Sequence, residues 1–364
     1  MGIKLHDLVI AQNIELSQLA GKIITIDAPN ILMGLFNFSY KNNYYSYSNF
    51  MTDRTQRAIS HLYGLLFRLN FYYSKNLFPI FCFDGRDSEL KRIITKDQLN
   101  DFLVTKKRYE LAMKSRKINL ARQIAMSKEF LWPNILFESK QLLGALGVPY
   151  IESPASAEAQ CAQLVKEGIA FYSNSQDYDS LLFGCPRVLQ NLSKSLKRKV
   201  QGKWTYTKIK STVINLEKSL KALDISYFQL VDLALLVGTD YFSGISKIGP
   251  KTALKLIKNH NTVEVIIQQE KNNYDFGKLT PEIIKKVRKI FLLPEIVKSP
   301  DIISWNLPNK SLIMNLLCKD HHLSAERVSK NVDKLSKNYL KCRNYFEVHK
   351  NIPSSVQTTL DMLI

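Results

Sequence analysis

The sequence predicts an α/β fold, an open sheet whose strand ends gather carboxylates. Three observations lead to it: strand-like apolar runs, helical patterns between them, and acidic residues that follow the runs. The runs are Lys22–Asp27, Phe78–Asp84, Val148–Ser153 and Ile169–Ser173. Asp27 and Asp84 close the first two, Glu158 follows the third, and Asp177 and Asp179 follow the fourth. Asp240 follows a further apolar run, Leu233–Val237. Strand carboxyl ends in an open α/β sheet share one edge, where ligands bind. Such strands bring Asp27, Asp84, Glu158, Asp177, Asp179 and Asp240 together.

Close carboxylates repel. One like-charge pair at ~4 Å costs roughly 4 kcal/mol at an effective dielectric of ~20. Either several are protonated or a metal sits among them. Oxygen ligands with no His or Cys nearby favour Mg²⁺, with Mn²⁺ as substitute, over Zn²⁺. Two such ions roughly 3.5–4 Å apart can clamp a phosphodiester. A lone Asp after a strand is more often a helix cap or turn former; a set of six is harder to explain that way.

Residues 1–85 read as a short helix, a strand, helices around 28–37 and 53–74, and a second strand, with a Tyr/Asn/Ser-rich loop from Asn42 to Phe50. The stretch from Arg86 to Phe130 holds twelve Lys/Arg against six Asp/Glu and no Gly or Pro, so long helices are expected. They form either a solvated face or a basic clamp over the acidic edge. From Ser139 the α/β pattern resumes, and Lys194, Lys197, Arg198, Lys199 and Lys203 form another basic cluster. Phe228 to His260 reads as helix, hairpin, helix. Gly244 and Gly249 allow close backbone approach, and Pro250 suits a first helical turn. The amides at that helix start can bind a phosphate. Lys247, Lys251, Lys255 and Lys258 add charge without reading bases.

The 364 residues allow one to three domains. A net charge of +19 around an acidic site suits an anionic polymer held by the surface. A run of about 18 apolar residues, the length of a membrane span, is lacking, and the start lacks a signal-peptide pattern. The five cysteines form no CxxC and suit a reducing, intracellular setting; Cys82 and Cys161 read as buried thiols.

The motifs Ser175–Gly184, Val237–Tyr241 and Gly244–Lys251 resemble the internal region of the flap endonuclease branch of the XPG/Rad2 structure-specific nucleases. Gly21–Ala28 and Phe83–Gly85 are similar to its N-terminal region, and Leu317–Val328 to a C-terminal segment of archaeal members. His321 and His322, in that last segment, read as surface or packing residues.

The resemblance implies a PIN-like core, a twisted and mainly parallel sheet between helices, with a helical arch and a helix-hairpin-helix DNA-binding element. It implies one nuclease domain over 1–345: an N-terminal region 1–100, an arch at about 86–130, an internal region 139–260 and a C-terminal wrap 261–345. A tail follows at 346–364. It implies two Mg²⁺ ions, one held by Asp27, Asp84 and Glu158 and the other by Asp177, Asp179 and Asp240, and a K⁺ ion at the hairpin. DNA contacts fall to Gly2, Lys91, Gly244, Lys247, Gly249, Lys251 and Lys255. The implied activity is cleavage of 5′ flaps in replication and repair, including Okazaki-fragment flaps, with a 5′–3′ exonuclease side activity. The protein is then a monomer without membrane contact, at the nucleoid in an archaeon and nuclear in a eukaryote.

Two departures stand out. Ser156 replaces a family Glu that acts on metal through water, and Gln98 replaces an Arg seven residues after the catalytic Lys91. They leave two alternatives: a catalytically weakened scaffold on the sliding clamp, or a relative preferring four-way junctions. The terminus, Gln357 to Ile364, resembles a sliding-clamp (PCNA) binding box, with Gln357, Leu360, Leu363 and Ile364 as its contacts.

Overall fold

The computed structural model describes residues 5–36, 51–54, 57–85, 98–125, 127–192, 195–200, 203–298 and 303–349. The strands are β1 (Ala11–Ile14), β2 (Lys22–Asp27), β3 (Leu77–Phe83), β4 (Tyr150–Glu152), β5 (Tyr172–Asn174), β6 (Arg187–Gln190), β7 (Ser195–Val200), β8 (Lys203–Lys208) and β9 (Ser211–Asn215). Seven of them form a mixed, mostly parallel sheet in the order β1-β9-β6-β5-β2-β3-β4, and β7 and β8 form a separate ribbon. The chain divides into two compact units: Met1–Asp27, Cys82–Thr95 and Glu152–Pro300 in the first, and Ala28–Phe81, Lys96–Ile151 and Asp301–Ile364 in the second.

In the first unit β2 and β5 pair in parallel with Ile24 opposite Tyr172, and β5 and β6 pair in parallel with Ser173 opposite Val188. Such strands are covered on both faces and read as unbroken apolar runs. In β2 every residue after Lys22 is buried. The edge turns antiparallel, β9 pairing with β6 and then with β1. Helices α6 (Ala157–Lys166), α7 (Asp179–Leu182), α8 (Leu216–Leu223), α9 (Tyr227–Val237), α10 (Pro250–His260), α11 (Val263–Glu270) and α12 (Pro281–Leu292) complete this unit. Behind the hairpin, Arg288 of α12 binds buried Asp232 of α9 through two 2.7 Å bonds and also reaches Glu264 of α11. A paired, two-pronged contact of this kind holds three helices in one geometry.

The second unit contains α1 (Ala28–Phe36), α2 (Ser60–Ser74), α3 (Gln98–Lys114), α4 (Ile118–Ala125), α5 (Lys128–Ala145), α13 (Lys310–Met314) and α14 (Ala325–His349). Its aromatic core stacks Phe78 on Trp305 at 4.8 Å, with Phe346 4.6 Å from Phe78. Helices α3 and α4 carry a small core of their own, Ala112, Ala121 and Ile124, packed by Tyr109 and Phe130. The expected long helices are thus present. The helix expected over 53–74 starts at Ser60 instead. Asp53 accepts the Arg57 N–H and its guanidinium, and Thr52 bridges Ala58, so local side-chain bonding holds a turn there. His321 packs inside, 3.4 Å from both Asp53 and Glu138, while His322 is exposed.

Candidate metal centre

Asp27 is the last residue of β2 and is 4% exposed. Asp84 directly follows β3, and its Oδ1 accepts the Ala157 N–H at 2.8 Å, the first N–H of α6. The same crossing is tightened by Gly85, whose N–H donates to Ala155 O at 2.7 Å. A Cβ at Gly85 would collide with the carbonyl oxygens of Ser153 and Pro154. Glu158 is the second residue of α6, where the helix dipole favours negative charge. Ser156 is the N-cap, and its hydroxyl accepts the Glu158 N–H at 3.2 Å. Ser156 therefore has a task of its own, starting the helix that aims Glu158.

Asp177 and Asp179 follow β5, and Asp179, the first residue of α7, is buried. Between β5 and Asp177 lies Ser175, which the sequence reading did not select. Its hydroxyl donates to Asp27 Oδ2 at 3.2 Å, lies 3.4 Å from Glu158 Oε1, and accepts the Asp177 N–H at 3.2 Å. A serine carries no charge, so only its place between strand and acid signalled it.

Asp27, Glu158 and Asp177 offer carboxylate oxygens that all lie within 4.8 Å of one another. This group draws on both of the expected metal sets. Burial, and then the charges of Asp179, Asp27, Asp177 and Asp84, push the Glu158 carboxyl well above its ordinary value. Four of the other five expected carboxylates thus act on Glu158. Asp240 stands in the turn after α9, where Thr239 N–H bonds Phe242 O at 2.7 Å, and it is outside the three-oxygen group. A hard, all-oxygen set of crowded acids fits a small divalent cation such as Mg²⁺ or Mn²⁺.

The hairpin after α9 has the expected form. Gly244 has φ +78°, and a Cβ there would meet Val237 O at 2.5 Å, so glycine is required. Gly249 caps α10 with Pro250 at its first position. Unlike Gly244, it has nothing within 4 Å of an added Cβ, so no protein atom demands a glycine there. Lys247, Lys251, Lys255 and Lys258 are exposed around it. Gln98 begins α3, and its side chain falls outside the described residues, as do Gly2, Lys91, Lys194, Gln357, Leu360, Leu363 and Ile364.

Known proteins resemble this chain in sequence and in fold. The XPG I-region pattern matches residues 147–240, which carry Glu158, Asp177, Asp179 and Asp240. Flap endonuclease 1 of Methanosarcina acetivorans is 33% identical over 92% of this chain and 96% of its own. The chain belongs to the flap endonuclease 1 family. A second member of that family, from Staphylothermus marinus, is 37% identical over 93% of this chain and 95% of its own. Among solved structures, flap endonuclease-1 from Methanococcus jannaschii matches with a TM-score of 0.71 at 26% identity, over 93% of this chain and 99% of that one.

Proposed function

We propose that the protein is a structure-specific DNA nuclease that cuts 5′ flaps with two divalent cations, chiefly Mg²⁺. The observation that carries this reading is the group Asp27, Glu158 and Asp177, with oxygens within 4.8 Å, in a chain of the flap endonuclease 1 family. Divalent ions held there supply Lewis-acid charge to the scissile phosphate. The chain's own residues do the rest. Asp27, Glu158 and Asp177 hold cation charge, with Asp84, Asp179 and Asp240 completing the set. Asp84 and Ser156 fix the start of α6 and so the direction of Glu158. Lys91 is assigned to the scissile phosphate.

The hairpin Gly244–Lys251 is assigned to the duplex backbone, assisted by K⁺. The open space at Gly249 supports close approach of a phosphate to the start of α10. The tail is assigned to the sliding clamp through Gln357, Leu360, Leu363 and Ile364, and the remaining chain to one monomeric nuclease domain. Among the described residues no helix is long and apolar enough to cross a membrane.

The deciding experiment incubates 5′-flap, 3′-flap and four-way-junction DNA with the protein in Mg²⁺ or EDTA. The expected result is cutting of the 5′ flap that needs Mg²⁺ and is lost in Asp27→Ala and Asp179→Ala while DNA binding persists. Preference for the four-way junction, or binding with no cutting, overturns the reading in favour of the junction relative or the scaffold. Removing residues 356–364 should abolish clamp binding by calorimetry and leave intrinsic cutting intact; equal clamp affinity would rule the tail out as the main contact.

A further inference from the structure

Ser175 carries no charge, yet it touches three segments that bear the carboxylates. Its Oγ is 3.2 Å from Asp27 Oδ2, 3.4 Å from Glu158 Oε1, and 3.2 Å from the Asp177 nitrogen. The residue is 1% exposed, so bulk water has little access to replace it. A serine hydroxyl has one proton and two acceptor sites. The Asp177 N–H takes an acceptor site. The single proton then faces two carboxylates and is nearer to Asp27. The hydroxyl therefore sits at the junction of β2, α6 and the turn after β5, the three elements that present the three-oxygen group.

We propose that Ser175 is a positioning residue for the metal centre. Its hydroxyl sets the spacing of Asp27 and Glu158 and ties both to the turn that carries Asp177. The three acids then meet a cation already gathered, and the two expected metal sets share one hydrogen-bonded link. This rests on the reading of the carboxylates as a divalent-metal site. Without the hydroxyl, mutual repulsion of the acids is opposed by one donor fewer, and Asp177 loses the anchor of its amide. Partners that orient metal ligands typically contribute about 10–100-fold to metal affinity.

The test is Mn²⁺ binding to the full-length, DNA-free protein, followed by the electron paramagnetic resonance signal of free Mn²⁺. Ser175→Ala should bind Mn²⁺ about tenfold more weakly than wild type, with a Tm only a few degrees lower. The Mg²⁺ concentration for half-maximal flap cutting should rise by the same factor, while kcat at saturating Mg²⁺ and KM for DNA stay within about twofold. Ser175→Thr, which keeps the hydroxyl, should recover most of the lost affinity. If Ser175→Ala lowers Tm sharply, Ser175→Cys replaces it, a similar shape with a weak donor. Wild-type Mn²⁺ affinity in whichever of these two variants keeps its Tm overturns the proposal. So does a Ser175→Thr protein of normal Tm that stays as weak as Ser175→Ala. Wild-type protein that binds no Mn²⁺ would instead overturn the metal reading itself, a result separate from any effect of the variants.

Discussion

The main-chain N–H of Ala157 donates to Asp84 Oδ1 at 2.8 Å, so an acid whose charge acts on Glu158 also caps the helix that carries Glu158. Cap and ligand are often treated as rival roles for an Asp after a strand. Here one carboxyl group caps a helix and also adds its charge to the acids around Glu158.

The two roles separate by substitution. Asp84→Asn keeps a carbonyl oxygen for the Ala157 N–H and removes the charge. Its unfolding free energy should stay within about 0.5 kcal/mol of wild type while the Mg²⁺ requirement rises. Asp84→Ala should lose both, with about 1 kcal/mol of stability. Equal stability loss in the two variants, by urea denaturation, would show that the cap bond contributes nothing.

Gly85→Ala should disturb the same crossing from the other side. The added methyl meets the backbone oxygens of Ser153 and Pro154, which cannot rotate away as side chains do. Stability should fall by at least about 2 kcal/mol, with Mg²⁺-dependent cutting reduced. A variant with wild-type Tm and cutting would mean that the strands separate freely there.

Ser156→Glu has opposing effects. The added charge should lower the Mg²⁺ concentration for half-maximal rate, and loss of the N-cap bond to Glu158 should cost about 1 kcal/mol of stability. Magnesium titrations and thermal melts read the two separately. An unchanged or raised Mg²⁺ requirement would show that position 156 lies outside the ion's reach.

Glu138 gives a pH dependence. Burial alone would push its carboxyl up, but hydrogen bonds from His321 and His61, with the nearby imidazoles, hold it at about 2. The folded value is below the ordinary 4.5, so the stabilisation is present above pH 4.5 and is lost as pH falls towards about 2. The full span is on the order of 3 kcal/mol. Glu138→Gln should flatten the acid side of the stability curve. Parallel wild-type and variant curves between about pH 5 and about pH 3 would contradict this.

Lys247→Glu with Lys251→Glu should weaken duplex binding for every sequence alike. Each lost phosphate contact should reduce the log–log salt slope by about 0.9. A loss confined to some sequences would mean that the hairpin reads bases.

Much of the site was legible because buried parallel strands leave unbroken apolar runs. Lys22–Asp27 appears with the bounds expected of it, and Asp27 at its end. The run at Ile169–Ser173 corresponds to a strand at Tyr172–Asn174, because Ala170 N–H turns back to Leu164 O at the end of α6. β1, Ala-Gln-Asn-Ile, was invisible: it is a largely exposed edge strand without an apolar pattern. β6 and β9 went unnamed because their short runs, Arg-Val-Leu-Gln and Ser-Thr-Val-Ile-Asn, hold only two apolar residues each. Ser175 was missed because its contribution lies in hydrogen bonds to Asp27 and Glu158, on two other segments, which no local pattern records. The hairpin was readable from Gly244 and Pro250, whose backbone demands are local.

The aromatic stack on Phe78 also decides what an optical experiment can see. Trp305 donates its indole N–H to Pro79 O at 2.7 Å, and Trp305 and Trp132 are only 5% and 4% exposed. Both belong to the second unit, whereas the first holds the acids and a single indole, Trp204, on the ribbon strand β8. Blue-shifted emission from Trp305 and Trp132 therefore reports on the melting of the second unit. Watching cations arrive at Asp27 by fluorescence calls for a reporter in the first unit, which those two indoles do not supply.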